Sequence, residues 1–130
     1  MDELDAEVDA LWNQLWELEH RVSQGEALAL TADMRALLRR AAQTVAIREQ
    51  EVESALSDVE RATALLLKIR ARIRDGSNRI MDALERMYDL QDAGNLDGAR
   101  QEMRAVLAIE VVPHYREIAE GELEKMDDPS

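Results

Sequence analysis

The sequence specifies an all-α protein: an elongated helical bundle organised on one long central helix, about residues 49 to 91, with a proline-kinked C-terminal helix. Period is the first ground. Val52, Val59, Leu66, Ile73, Ile80 and Met87 recur at every seventh place, and three places after each stand Ala55, Ala62, Ile69, Gly76, Ala83 and Leu90, all small or apolar. These are the a and d positions of a heptad pattern, and a repeat near 3.5 residues keeps one stripe of a helix facing its neighbours. Composition is the second ground. The chain has 130 residues, 46% of them apolar, which suits one domain with one core. It has no Phe, two Trp and two Tyr, and is rich in Leu, Ala, Val, Glu and Arg, a helix-forming set.

The first helix is expected from about Asp2 to Ser23. Leu4, Val8, Leu11, Leu15, Leu18 and Val22 alternate spacings of four and three and so share one face. Trp12 and Trp16, one turn apart, widen that face, so the helix is expected to touch two neighbours. Ser23, Gln24 and Gly25 supply stop signals. Ala27 to Leu30 reads as an apolar connector, and Thr31 as the N-cap of a second helix over about 31 to 43 that buries Met34, Leu37, Leu38 and Ala41. No Gly or Pro stands between Gly25 and Gly76, so one helix or two would fit that stretch. A break is favoured at Thr44 to Arg48, where Thr44, Val45 and Ile47 concentrate β-branched residues.

Gly76 followed by Ser77 resembles a helix end, since Gly costs about 1 kcal/mol inside a helix. The phase opposes a break, because Ile73 and Ile80 stay in register across it. A hairpin at Gly76 remains the alternative. An unbroken helix over this stretch would be about 65 Å long, whereas a compact globule of this size has a radius of gyration of about 14 Å. Elongation or pairing with a second copy is therefore expected. Ala93, Gly94 and Asn95 close the long helix, and Asp97 is a candidate cap for the last, about residues 96 to 126. That helix is expected to bury Met103, Val106, Leu107 and Val111, to kink at Pro113, and to continue on Ile118, Leu123 and Met126. The terminal residues Asp127 to Ser130 are expected to fray.

Charge and residue types exclude several classes of function. A net charge of −12 opposes direct binding to nucleic acid or anionic lipid. With no Cys there is no disulfide and no thiolate metal site. No apolar run reaches the roughly 18 to 20 residues that span a bilayer, and the acidic N-terminus is unlike a secretory signal, so a cytoplasmic protein is expected. Charge is unevenly placed. Residues 1 to 20 hold seven carboxylates and no Lys or Arg, and Glu117 to Asp128 add six against Lys125. Between them lies a cationic waist of Arg61, Lys68, Arg70, Arg72, Arg74 and Arg79, opposed only by Asp75. Arg72, Arg79 and Arg86 occupy g positions and Arg70 an e position, where charges select the partner helix.

No P-loop, dinucleotide fingerprint, nucleophile elbow or catalytic triad pattern is present. Glu17 and His20 have the Glu-x-x-His spacing of di-iron bundles, but such sites need a second pair and two further carboxylates. They are expected to face solvent. His114, with Glu110 and Glu117 within helical reach, is expected to form a local hydrogen-bonded patch beside the kink.

Five runs carry a resemblance over nearly the whole chain: LALT at Leu28 to Thr31, VAI at Val45 to Ile47, RIRDGSNR at Arg72 to Arg79, DAGNLDGAR at Asp92 to Arg100 and EVVPHYR at Glu110 to Arg116. Together they resemble the DUSAM domain, a small bacterial family of paralogous proteins without an assigned function. After VAI that family tends to have a small polar cap, where this chain has Arg48. The resemblance implies an all-helical module and no activity.

The expected function is therefore a non-enzymatic helical module for protein–protein interaction or regulation, without cofactor or metal. It is expected to form a homodimer through helix packing or to engage another protein. The candidate contact residues are Trp12, Trp16, Arg70, Arg72, Arg79, His114, Tyr115 and Arg116. The alternative is an acidic inhibitor or antitoxin-like protein that covers a basic partner surface.

Overall fold

The computed structural model describes residues 3–127, and among them there are six helices and no strand. The helices are α1 Glu3–Ser23, α2 Ala32–Thr44, α3 Glu49–Ala55, α4 Val59–Asp92, α5 Leu96–Ile109 and α6 Pro113–Asp127. The protein is a helical bundle. Residues up to Arg72 form one compact unit, and those from Ile73 a second, so α4 contributes a half to each. In the first, α1 packs on α2 and α2 on α3; in the second, α5 packs on α6.

Local chemistry explains most of the boundaries. Gly25, at φ 96°, takes the left-handed conformation that follows α1. Leu28 in the connector is buried. Thr31 caps α2 as expected, its Oγ1 accepting the Met34 N–H at 3.1 Å. The break after Thr44 is present too, and there Ala46 adopts φ 60°, unusual for a residue with a side chain. Arg48 stands at the N-cap of α3 and supplies no side-chain cap. That helix is short.

Two expected helices are each two helices. The helix over 49 to 91 is interrupted at Leu56–Asp58. Asp58 Oδ1 accepts the Arg61 N–H at 2.8 Å and Ser57 Oγ donates to the Ser54 carbonyl at 2.7 Å, so short polar side chains satisfy backbone groups that a continuous helix would have paired. Leu56 is buried while Val59, an a position, is 40% exposed, so the stripe jumps at the break. The helix over 96 to 126 does not kink at Pro113 but stops at Ile109 and restarts at Pro113. Proline suits the first turn of a helix, where its missing N–H costs nothing, and it biases the residue before it toward extended backbone. The N-cap of α5 is Asn95, whose Oδ1 accepts the Gly98 N–H at 2.9 Å; Asp97 instead pairs with Arg100 at 3.0 Å. At the corner Val112 is buried, and Val111 is exposed.

Within α4 the seam holds. Ala62, Leu66, Ile69, Ile73, Ile80, Ala83 and Met87 are all buried, and the helix runs through Gly76 without a hairpin. Residues of this one chain thus cover the stripe. Hydrophobic burial of this kind supplies the main favourable term in folding.

Candidate interaction surfaces

Two of the sequence runs meet at Gly76. A Cβ built on Gly76 would collide with the Tyr115 ring at Cδ2, and would lie 2.7 Å from Cε2 and 2.9 Å from Glu110 Oε1. Only glycine lets the ring lie against the helix backbone here. The buried Tyr115 hydroxyl then donates to the Ile73 carbonyl at 3.1 Å. Glu110 is buried, and both of its oxygens are engaged. Oε1 accepts from Arg79 Nη1 at 2.7 Å, and Oε2 accepts the N–H groups of Val111 and Val112 at 3.0 Å each. Arg116 Nη1 donates to the carbonyls of Leu107 and Glu110 at 2.7 and 2.8 Å, satisfying the end of α5. RIRDGSNR and EVVPHYR are therefore the two halves of one internal joint. A buried carboxylate is costly unless paired and hydrogen-bonded, and Arg79 with two amides meets that demand.

The cationic waist is likewise engaged inside the chain. Arg61 pairs with Asp58, Lys68 with Glu51 and Arg79 with Glu110, while Arg70 reaches Glu19 at 3.0 Å. Arg72 Nη1 donates to the carbonyls of Val45 and Ala46 at 2.8 and 3.2 Å and so fixes the turn after α2. Arg74 is not free either. The hydrogen bond from Lys68 holds the Glu51 carboxyl below its ordinary value, and that from Arg39 does the same for Glu53. Arg39 and Arg86 are raised, chiefly by hydrogen bonds to Glu53 and Glu102.

The two tryptophans part company. Trp12 is buried and donates from Nε1 to Thr44 Oγ1 at 2.9 Å, and that hydroxyl donates on to the Ala41 carbonyl at 2.6 Å. Trp16 is 56% exposed and stacks on His20, with ring centroids 5.7 Å apart and planes within 4°. An open hollow beside this stack is lined by Trp16, Glu19, His20, Val22, Ser23 and Leu67. Glu17 is exposed with His20. His114 meets Tyr115 edge-on at 5.5 Å; Glu110 faces Arg79 and the corner amides, and Glu117 is exposed. No group of three or more His, Cys, Asp or Glu that could hold a metal ion occurs among the described residues.

Of the candidate contact residues, Trp16 is the most exposed, whereas Trp12 and Tyr115 are buried and Arg70, Arg72, Arg79 and Arg116 hold internal bonds. Outside the central heptads, further apolar side chains are exposed: Leu67, Met81, Tyr88, Leu96, Ile109 and Val111. One signal for them was present, since Ser77, Met81, Leu84 and Tyr88 follow the four-and-three spacing of a second stripe on α4. No described helix is long and apolar enough to cross a membrane.

No curated protein and no solved structure matches the chain. The model of a family described as "Protein of unknown function (DUF2379)" matches residues 10–126. That span contains α2 to α5, the joint at Gly76 and all the candidate contact residues, and on it the chain belongs to the DUF2379 family of proteins of unknown function.

Proposed function

We propose that this protein is a non-enzymatic helical module for protein–protein interaction or regulation, working in the cytoplasm and self-associating through apolar side chains that its own fold leaves uncovered. One contrast carries this reading. The groups with most chemical capacity, Glu110, Arg70, Arg72, Arg79, Tyr115 and Arg116, are bonded within the chain, while Trp16 and Leu67 stand 56% and 44% exposed around one hollow. Large aromatic side chains at a surface are the residues that most often anchor interfaces. The internal seam is already covered, so the second copy is assigned to this hollow. The DUSAM resemblance is proposed to describe the same family under another name.

Sedimentation or light scattering at micromolar concentration tests the assignment. The expected mass is twice the chain's 14.7 kDa, falling to that of one chain for the Trp16→Ser, Leu67→Ser double variant with its helical content retained. A wild-type monomer would remove self-association from the reading. The second reading, an acidic inhibitor or antitoxin-like protein that binds a basic surface, is supported by the internal pairing of the cationic waist within a chain of net charge −12.

A further inference from the structure

The outer side of the second half of α4 combines exposed apolar side chains with an acidic border. Met81 and Tyr88 are 64% and 50% exposed, and Ser77 and Leu84, half-buried, complete a stripe at spacings of four, three and four residues. Ser77 Oγ lies 3.8 Å from Met81 Sδ, so the two side chains touch along the stripe. Such spacing places them on one side of the helix, next to the buried seam but distinct from it. Asp82, Glu85, Asp89 and Asp92 are exposed, and on a helix of 3.6 residues per turn they fall along the stripe's outer edge. Arg79 and Arg86 lie beyond these carboxylates on the helix surface, where they pair with Glu110 and Glu102, and Arg86 also feels Asp82 and Glu85. The stripe ends at an open hollow of about 490 Å³ lined by Tyr88, Gln91, Leu96, Glu122, Met126 and Asp127 among others. The two cations in that hollow, Arg100 and Lys125, are paired with Asp97, Asp127 and Glu122.

We infer that this face docks a cationic amphipathic helix of another protein. Its apolar side would lie along Met81, Leu84 and Tyr88, a side chain would enter the hollow, and its Lys or Arg residues would meet Glu85, Asp89 and Asp92. The charge identifies the occupant. A second copy would bring the same four carboxylates to the same edge, and like charges brought together in an interface are disfavoured. A cationic helix matches them, and amphipathic helices are read through apolar anchors at this spacing. The inference rests on the interaction-module reading and gives its non-self partner a chemistry.

The test uses the full isotope-labelled chain and a synthetic peptide of roughly three heptads with Leu at the buried positions and Lys at the flanking ones, in about 0.15 M salt. A control peptide carries Glu in place of Lys. Amide shift changes are expected to concentrate at residues 77–92 and Leu96, and the Glu peptide is expected not to bind. Tyr88→Ser and Met81→Ser, both at exposed positions, are each expected to weaken Kd about tenfold or more, as is the pair Glu85→Lys, Asp89→Lys. The pair Asp33→Lys, Glu49→Lys makes the same change in net charge elsewhere and is expected to have a much smaller effect. No binding, shifts spread over the acidic α1, or equal losses from the two charge-reversed pairs would overturn the inference. A dimer that dissociates on Tyr88→Ser would overturn it as well, by giving the face to a second copy. The mass measurement on the Trp16 and Leu67 variant stands apart from all of these outcomes.

Discussion

At the level of single residues, Gly76 sets two effects against each other. Replacing it by Ala should gain about 1 kcal/mol from helix propensity, because glycine is the poorer helix former. The new methyl group would collide with the Tyr115 ring and press on Glu110 Oε1, and overpacking of this kind costs about 1–3 kcal/mol. Both neighbours are buried and tied by hydrogen bonds, so they have little room to yield. Gly76→Ala is therefore expected to lower stability in urea unfolding, and the loss should shrink when Tyr115→Ala is added. Ala46 offers the opposite case. Its φ of 60° strains a residue with a Cβ, so Ala46→Gly is expected to raise stability by up to about 1 kcal/mol, partly offset by the greater freedom of glycine in the unfolded chain. A fall in the urea midpoint would show that the turn held by Arg72 is not left-handed at Ala46. Glu110 was hard to see in the sequence. It reads as a member of a local patch with His114 and Glu117, and only a folded corner brings Arg79 and two amides to it.

Among the elements, α1, the cap of α2 and the seam from Ala62 to Met87 were legible, because period and capping are local signals that the packed chain does not override. The interruption at Leu56–Asp58 was masked, since Val59 stands at the right heptad place although its side chain is 40% exposed. Ser54, Ser57 and Asp58 were the contrary signal, three short polar residues able to bond nearby backbone. Asp58→Ala removes the acceptor for the Arg61 N–H and is expected to cost about 1 kcal/mol, as loss of an N-cap commonly does. An unchanged midpoint would mean that α4 does not depend on that cap. Pro113 in a helical stretch predicts a kink, but proline is equally at home in the first turn of a new helix. What decides between them is the carboxylate of Glu110, which takes up the amides of the corner residues.

For the whole molecule, the sequence showed a cationic waist between acidic ends, and the folded chain engages most of that waist with its own carboxylates or carbonyls. Glu51 and Glu53 have folded pKa values below the ordinary 4.5, so their pairs contribute stability that is complete above pH 4.5 and is lost as the pH falls through the folded values. Urea unfolding between about pH 6 and about pH 3 is expected to show an acid loss that Glu51→Gln reduces; an identical pH profile for wild type and variant would contradict the pairing. The exposed apolar groups were less legible than the core because a single apolar residue between charges is ordinary on any protein surface. Their grouping shows only once the helices are built.

RIRDGSNR and EVVPHYR form an internal joint, with the Tyr115 ring seated on the backbone of a continuous helix at Gly76. Proton NMR tests it directly. An upfield ring-current shift of a Gly76 Hα, nuclear Overhauser contacts from that proton to the Tyr115 ring, and unbroken sequential amide contacts from Ile73 to Ile80 are expected. A Gly76 Hα at its ordinary shift with no contact to Tyr115, or amide contacts that stop at Gly76, would contradict it.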